Sequence, residues 1–173
     1  MSTKTLVGSI IFGLILLVAQ PKSLSAATRP SLAGSWELTF TPTAPPTPPV
    51  VVIPGLATFT SDGSVVETDG SEVAPGPASS TGAATYGTPG HGIWQLLPSM
   101  TGFYISFTSL SVNANGSLNS TSVTVATVSL ASTTKGTMLT GQYTTTTSGP
   151  SGVPPKTTTG QLNGLLIPHP LLP

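Results

Sequence analysis

Two three-residue words, Gly34-Ser35-Trp36 and Gly92-Ile93-Trp94, constrain this chain more than anything else in it. Each opens a segment in which apolar and polar residues alternate, the two-residue period of a strand with one buried face. Each also sets an indole near the start of its strand, where a sheet that closes on itself needs a large side chain to fill its floor. The surrounding sequence is dominated by Thr, Ser, Val, Gly and Pro, which favour strands and turns over helices. No apolar stripe of helical period follows residue 27.

Eight strands are expected, at about 34–41, 56–61, 64–69, 92–97, 102–112, 119–131, 137–147 and 156–166. In the first, Trp36, Leu38 and Phe40 alternate with Ser35, Glu37 and Thr39; in the fifth, Phe103, Ile105 and Phe107 alternate with Tyr104, Ser106 and Thr108. Asp62-Gly63 and Asn115-Gly116 are strong hairpin signals, and Lys135-Gly136 marks a third turn. The sixth strand changes phase, with Val123 and Val125 on one parity and Val128 and Leu130 on the other. A β-bulge near Ala126-Thr127 would return all four to one buried face.

Two stretches lack a strand pattern. Residues 42–54 carry Pro-Pro twice and are short of ladder donors, so they are expected to form an extended, polyproline-like crossover. Residues 73–90, rich in Gly, Pro, Ser and Ala, are expected to form a long loop. Connections of that length tend to be functional lids or disordered segments, which makes both stretches candidate lids.

The shortage of charge decides how such strands assemble. Charged residues make up 6% of the chain, and the last three strands hold only Lys135 and Lys156, both at strand ends. Open sheets blunt their edges with Lys, Glu or inward charges, and this one cannot. Closure removes the edges altogether. The fold class read from the sequence is therefore all-β, an antiparallel, eight-stranded up-and-down barrel, with a two-sheet sandwich as the alternative that uses the same strands.

The first 27 residues stand outside that fold. Lys4 supplies a positive start, residues 6–19 are apolar apart from Gly8, Ser9 and Gly13, and Ser25-Ala26-Ala27 offers small residues to a signal peptidase. The run is shorter than the roughly 20 residues that span a bilayer, although a retained signal anchor is the alternative. Cleavage after Ala27 leaves a barrel domain at 28–167 and a Pro-rich tail at 168–173, with no membrane span. The expected location is secreted, periplasmic or at the cell surface, and a monomer is expected. With no Cys in the chain there is neither a disulfide nor a thiolate metal site, so packing must supply the stability. Arg29, Lys135 and Lys156 are the cations left after cleavage, too few and too scattered for nucleic acid.

Gly34-Ser35-Trp36, opening the first strand of an eight-strand meander, resembles the Gly-x-Trp signature of lipocalins and the wider calycin group. Phe59-Thr60-Ser61-Asp62-Gly63-Ser64 and Gly90-His91-Gly92-Ile93-Trp94 are similar, more loosely, to exported bacterial proteins of lipocalin-like build. The resemblance implies a barrel that carries a small apolar ligand. The chain departs from the family in having no basic residue after Lys156 in its final strand, no C-terminal helix and a Pro-rich first crossover.

Candidate ligand-binding residues are Trp36, Phe59, Trp94, Phe103 and Phe107, which equally suit a packed core. An eight-stranded barrel can be filled by its own side chains or hold one small ligand. His91, between two glycines, and Glu37 are a possible polar lip that could handle protons. Asp62, Glu67, Asp69 and Glu72 surround one hairpin and are expected to be a solvated acidic lip, because their spacing fits no Ca²⁺ loop. Asn115-Gly116-Ser117 and Asn119-Ser120-Thr121 match the N-glycosylation pattern, read here as polar turns. No nucleophile elbow, phosphate loop or His-pair zinc motif is present, and neither a cofactor nor a metal is expected. The sequence thus favours a non-enzymatic barrel binding a small hydrophobic molecule. A packed structural protein of the surface or matrix, or a cofactor-free isomerase or cyclase using His91 or Glu37, are the alternatives.

Overall fold

In a computed structural model, residues 29–45, 51–70, 85–99, 101–149 and 153–168 are described. The signal segment, nearly all of the tail, the middle of the first candidate lid (46–50) and residues 71–84, which include Glu72 and most of the second lid, lie outside them. The described residues form nine strands: β1 (Gly34–Ala44), β2 (Ile53–Phe59), β3 (Ser64–Asp69), β4 (Thr85–Gly87), β5 (Gly90–Leu96), β6 (Phe103–Asn113), β7 (Leu118–Thr133), β8 (Gly136–Ser148) and β9 (Lys156–Leu166). Eight of them run β1-β2-β3-β5-β6-β7-β8-β9, each antiparallel to the next. The first and last then pair from Trp36↔Leu166 to Ala44↔Thr159. The ring of eight strands closes on itself, which excludes the sandwich. The short β4 is an addition to the expected eight. It extends the ladder of β6 beyond the start of β5, with the Thr88 amide and hydroxyl both bonded to Leu110 across the gap.

Alternation divides the barrel into an inside and an outside, and each inward stripe has a direction. On β6 the stripe is Phe103, Ile105, Phe107, Ser109, Ser111; on β7, read backwards, it is Leu130, Val128, Ala126, Thr124, Ser122. β8 runs Leu139, Gly141, Tyr143, Thr145, and β9, also backwards, runs Leu166, Gly164, Leu162, Gly160, Thr158. All begin apolar at the end of the barrel where the chain enters β1, and all finish polar at the other end. The apolar end is packed shut around Trp36, Phe59, Val65, Phe103, Val128 and Leu139. Leu32, just before β1 and fully buried, joins this floor, and its carbonyl accepts a 2.9 Å bond from the Trp36 indole. At the open end β1 finishes, β2 starts and β3 finishes.

Two hairpin turns share one construction. In Thr60-Ser61-Asp62-Gly63-Ser64 and Asn113-Ala114-Asn115-Gly116-Ser117, the fourth residue's amide donates to the first carbonyl, and the two end residues are bonded across the loop. The Asp or Asn carboxyl or amide oxygen accepts the following Ser amide, at 3.1 and 3.0 Å. Gly63 takes φ +93°, a region only Gly enters cheaply. The loop is thus longer than the two-residue turn expected from Asp62-Gly63. Hydrogen bonds from Thr60 and Ser64 hold the Asp62 carboxyl below the usual carboxylate range.

Other expectations are corrected. β1 continues through Pro42 to Ala44 and β2 begins at Ile53, so the crossover is shorter than residues 42–54. Pro42 is tolerated beside a register shift in the β1–β9 ladder. β7 has no bulge at Ala126-Thr127, because its pairing with β8 is unbroken from Thr121↔Ser148 to Thr133↔Gly136. Val123 and Val125 face outward instead, and Thr124 is buried in their place. The irregularity lies in the β6–β7 ladder, between Ser111 and Val112.

Candidate functional site

The hydroxylated end of the barrel encloses a cavity of about 230 Å³. Its wall comes from β1, β2, β3, β6, β7, β8 and β9, always from the inward parity. Among the described residues, Glu67 and Thr124 are the polar side chains that the fold buries, and both are on this wall. Thr124 and Thr145 share a hydrogen bond of 2.8 Å between hydroxyls on facing strands. Phe40 and Tyr143 meet edge to face, with centroids 5.3 Å apart and planes at 88°. Burial raises the Tyr143 phenol above its usual value, so it is a neutral hydrogen-bonding group across the physiological range.

Glu67 overturns the solvated acidic lip. It is 2% exposed, because the hairpin register sets Phe59 opposite Val65 and Ala57 opposite Glu67. Those pairs turn Val65, Glu67 and Asp69 inward and leave Val66 outside, 41% exposed. A slip of one residue would put Val66 inside and Glu67 in water. The carboxylate fits because Gly55 and Gly90 flank it: a Cβ on Gly55 would lie 3.1 Å from Oε1, and one on Gly90 3.3 Å from Oε2. The same two positions touch the Phe40 and Phe107 rings, so carboxylate and rings share one niche.

The structure separates the sequence candidates. Phe107 lines the cavity. Trp36, Phe59 and Phe103 are packed into the closed end, at 1%, 2% and 2% exposure. Trp94 is half-buried against Phe103, and its indole donates to the Thr60 carbonyl at 2.9 Å, holding the β2–β3 turn. Glu37 and His91 are exposed on the outer surface, so neither reaches the interior. His91→Ala is accordingly expected to cost less than about 1 kcal/mol in a denaturant titration. Glu37 instead borders a shallow outer groove of about 430 Å³ over β1, β2 and β3, with Pro54, Leu56 and Thr68. Among the described residues no group of three or more His, Cys, Asp or Glu side chains could hold a metal ion, and no helix is long and apolar enough to cross a membrane.

Sequence reasoning missed Glu67, Thr124, Tyr143 and Thr145 as a group. The signal was present in the direction of the inward stripes, each of which trades apolar for hydroxyl residues at the same end. Compared with protein-family models, curated proteins and solved structures, the chain matches none.

Proposed function

We propose that this chain is an exported, non-enzymatic barrel of lipocalin-like build that holds one small molecule in its open end. The observation that carries this reading is the cavity itself: a barrel that needed only to be stable would extend its apolar packing to both ends. Here the floor is packed and the mouth is not, and the mouth is walled by aromatic rings, hydroxyls and two carboxyl groups that converge from six strands, with Ile53 from a seventh. Convergent polar groups in an otherwise apolar concavity are the usual make-up of a ligand site. The position of Trp36, on the floor and bonded to the segment entering β1, supports the lipocalin-like reading. The segment at 1–27 supports export.

The guest implied is smaller and more polar than a carrier of fatty acids would take. Ligand pockets for drug-sized molecules run to roughly 300–1,000 Å³, above the 230 Å³ found here. The filled floor leaves a long chain nowhere to go. A compact molecule with one apolar flank and one polar group matches the wall. A panel of small alcohols, amines and aromatic fragments, titrated into isotope-labelled protein, is expected to shift the amide resonances of Thr124, Tyr143 and Thr145 saturably. The closed-end residues Val65 and Leu139 should stay still. If no fragment moves the open-end resonances, the binding reading fails and the packed structural alternative stands.

A further inference from the structure

We infer that the molecule held in the open end is a small organic cation, an amine or quaternary ammonium compound. This rests on the small-molecule reading of the cavity and names its ligand class. Among the described residues, the polar side chains on the wall are of two kinds, carboxyl groups from Glu67 and Asp69 and hydroxyls from Ser, Thr and Tyr. Carboxylates set a negative potential, and hydroxyl oxygens accept hydrogen bonds from N–H donors. The rest of the wall is apolar, Phe40 and Phe107 with Pro42 and Ile53. The glycine positions that touch Glu67 Oε1 and Oε2 also touch Phe40 and Phe107, placing two rings within one ligand's width of the carboxylate. Tyr143 stands edge-on to Phe40 and adds a third. A cation near the face of such a ring is attracted by its quadrupole, and the attraction grows when the site is desolvated.

Burial strengthens the case. Glu67 is 2% exposed and faces the cavity, so holding its charge in surroundings of low dielectric is costly, and a cation placed against it gains by offsetting that cost. A neutral or anionic guest forgoes that gain, and an anion meets repulsion as well. The volume suits the class. At about 30 Å³ per water, 230 Å³ is the space of roughly seven or eight waters, enough for a trimethylammonium head with a short tail.

The test compares cations with neutral molecules of the same shape. Choline is paired with 3,3-dimethylbutan-1-ol, which replaces the nitrogen by carbon, and benzylammonium with benzyl alcohol; 3,3-dimethylbutanoate is the anionic control. Calorimetry and amide shifts at Thr124 and Tyr143 are expected to show at least one cation binding tenfold or more tightly than its neutral partner, roughly the gain of a desolvated cation–ring contact. Glu67→Gln should erase that preference while leaving the neutral partner's affinity within about twofold. Asp69→Asn, at a half-buried position, serves the same purpose should the Glu67 variant fail to fold. Neutral partners binding as tightly as the cations would overturn the cation inference and leave the small-molecule reading intact. So would tightest binding of the anion, which would make Glu67 a protonated donor. Silence from every probe at the cavity resonances would overturn both.

Discussion

Replacing Trp36 by Ala is expected to destabilise the barrel by about 3–5 kcal/mol, as the loss of a large aromatic from a packed core does. The indole is 1% exposed and belongs to the cluster that seals the floor. Its ring nitrogen also donates to the Leu32 carbonyl at 2.9 Å, so the substitution releases the segment that carries the fully buried Leu32 into the core. Two losses therefore coincide, a cavity and an unlatched plug. For a domain of this size the midpoint of thermal unfolding should fall by on the order of 10 °C. Trp36→Phe keeps most of the volume and removes the hydrogen bond, so it should recover more than half of the loss. A Trp36→Ala variant that melts within 2 °C or so of the parent would show that the floor does not depend on this anchor. The contrast with Trp94 is instructive. That indole is half-buried and holds a turn by its 2.9 Å bond to Thr60, so its truncation should cost less.

The architecture was legible because its determinants are local or global in simple ways. Alternation in 34–41 and 102–112 fixed strands and inward parity, and the Asp62-Gly63 and Asn115-Gly116 signals fixed hairpins. The shortage of edge charges required closure, and β1 pairs with β9 as that argument demands. What misled was the assumption that every buried stripe is apolar. On β7 that assumption gathered four aliphatic residues onto one face and invented a bulge to do so. The barrel instead buries Thr124 between strands, where Thr145 satisfies it at 2.8 Å, and leaves Val123 39% exposed outside.

Glu67 was illegible for the same reason at a smaller scale. Val65 and Val66 are adjacent, so β3 has no pattern that chooses between its faces, and the cost of burying a charge argues for Glu67 outside. The choice is made by the partner strand. Phe59 and Ala57 are inward on β2, and the turn at 60–63 delivers Val65 and Glu67 opposite them. Register is a property of the pair, and no reading of β3 alone contains it. Leu32 escaped notice because a single residue in a segment without periodicity carries no pattern. The site is therefore where strand-by-strand reasoning fails, and it fails at residues that break the apolar rule for a structural or functional return.

Gly92→Ala is expected to be about as damaging as any single substitution in the barrel, although it adds only one methyl group. Gly92 faces inward on β5, between Val65 on β3 and Phe107 on β6. A Cβ there would fall on the Ser106 carbonyl and within 2.5 Å of the Phe107 Cα. Those atoms are backbone, so no rotamer change relieves the clash; β5 must move away from β6. Because the sheet is closed, that displacement cannot be absorbed at an edge and is passed to neighbouring strands. Overpacking of a core costs 1–3 kcal/mol as a rule, and a backbone obstacle puts this case at about 3 kcal/mol or above. The effect should also be directional. Phe107, Gly92's partner on β6, stands on the cavity wall, so the variant should lose ligand-dependent shifts at Thr124 and Tyr143 even at temperatures where it remains folded. Denaturant titration together with amide spectra checks both halves. A Gly92→Ala protein with parental stability would mean that β5 and β6 do not approach as closely as the register requires, and the geometry that places Phe107 beside Glu67 would fall with it.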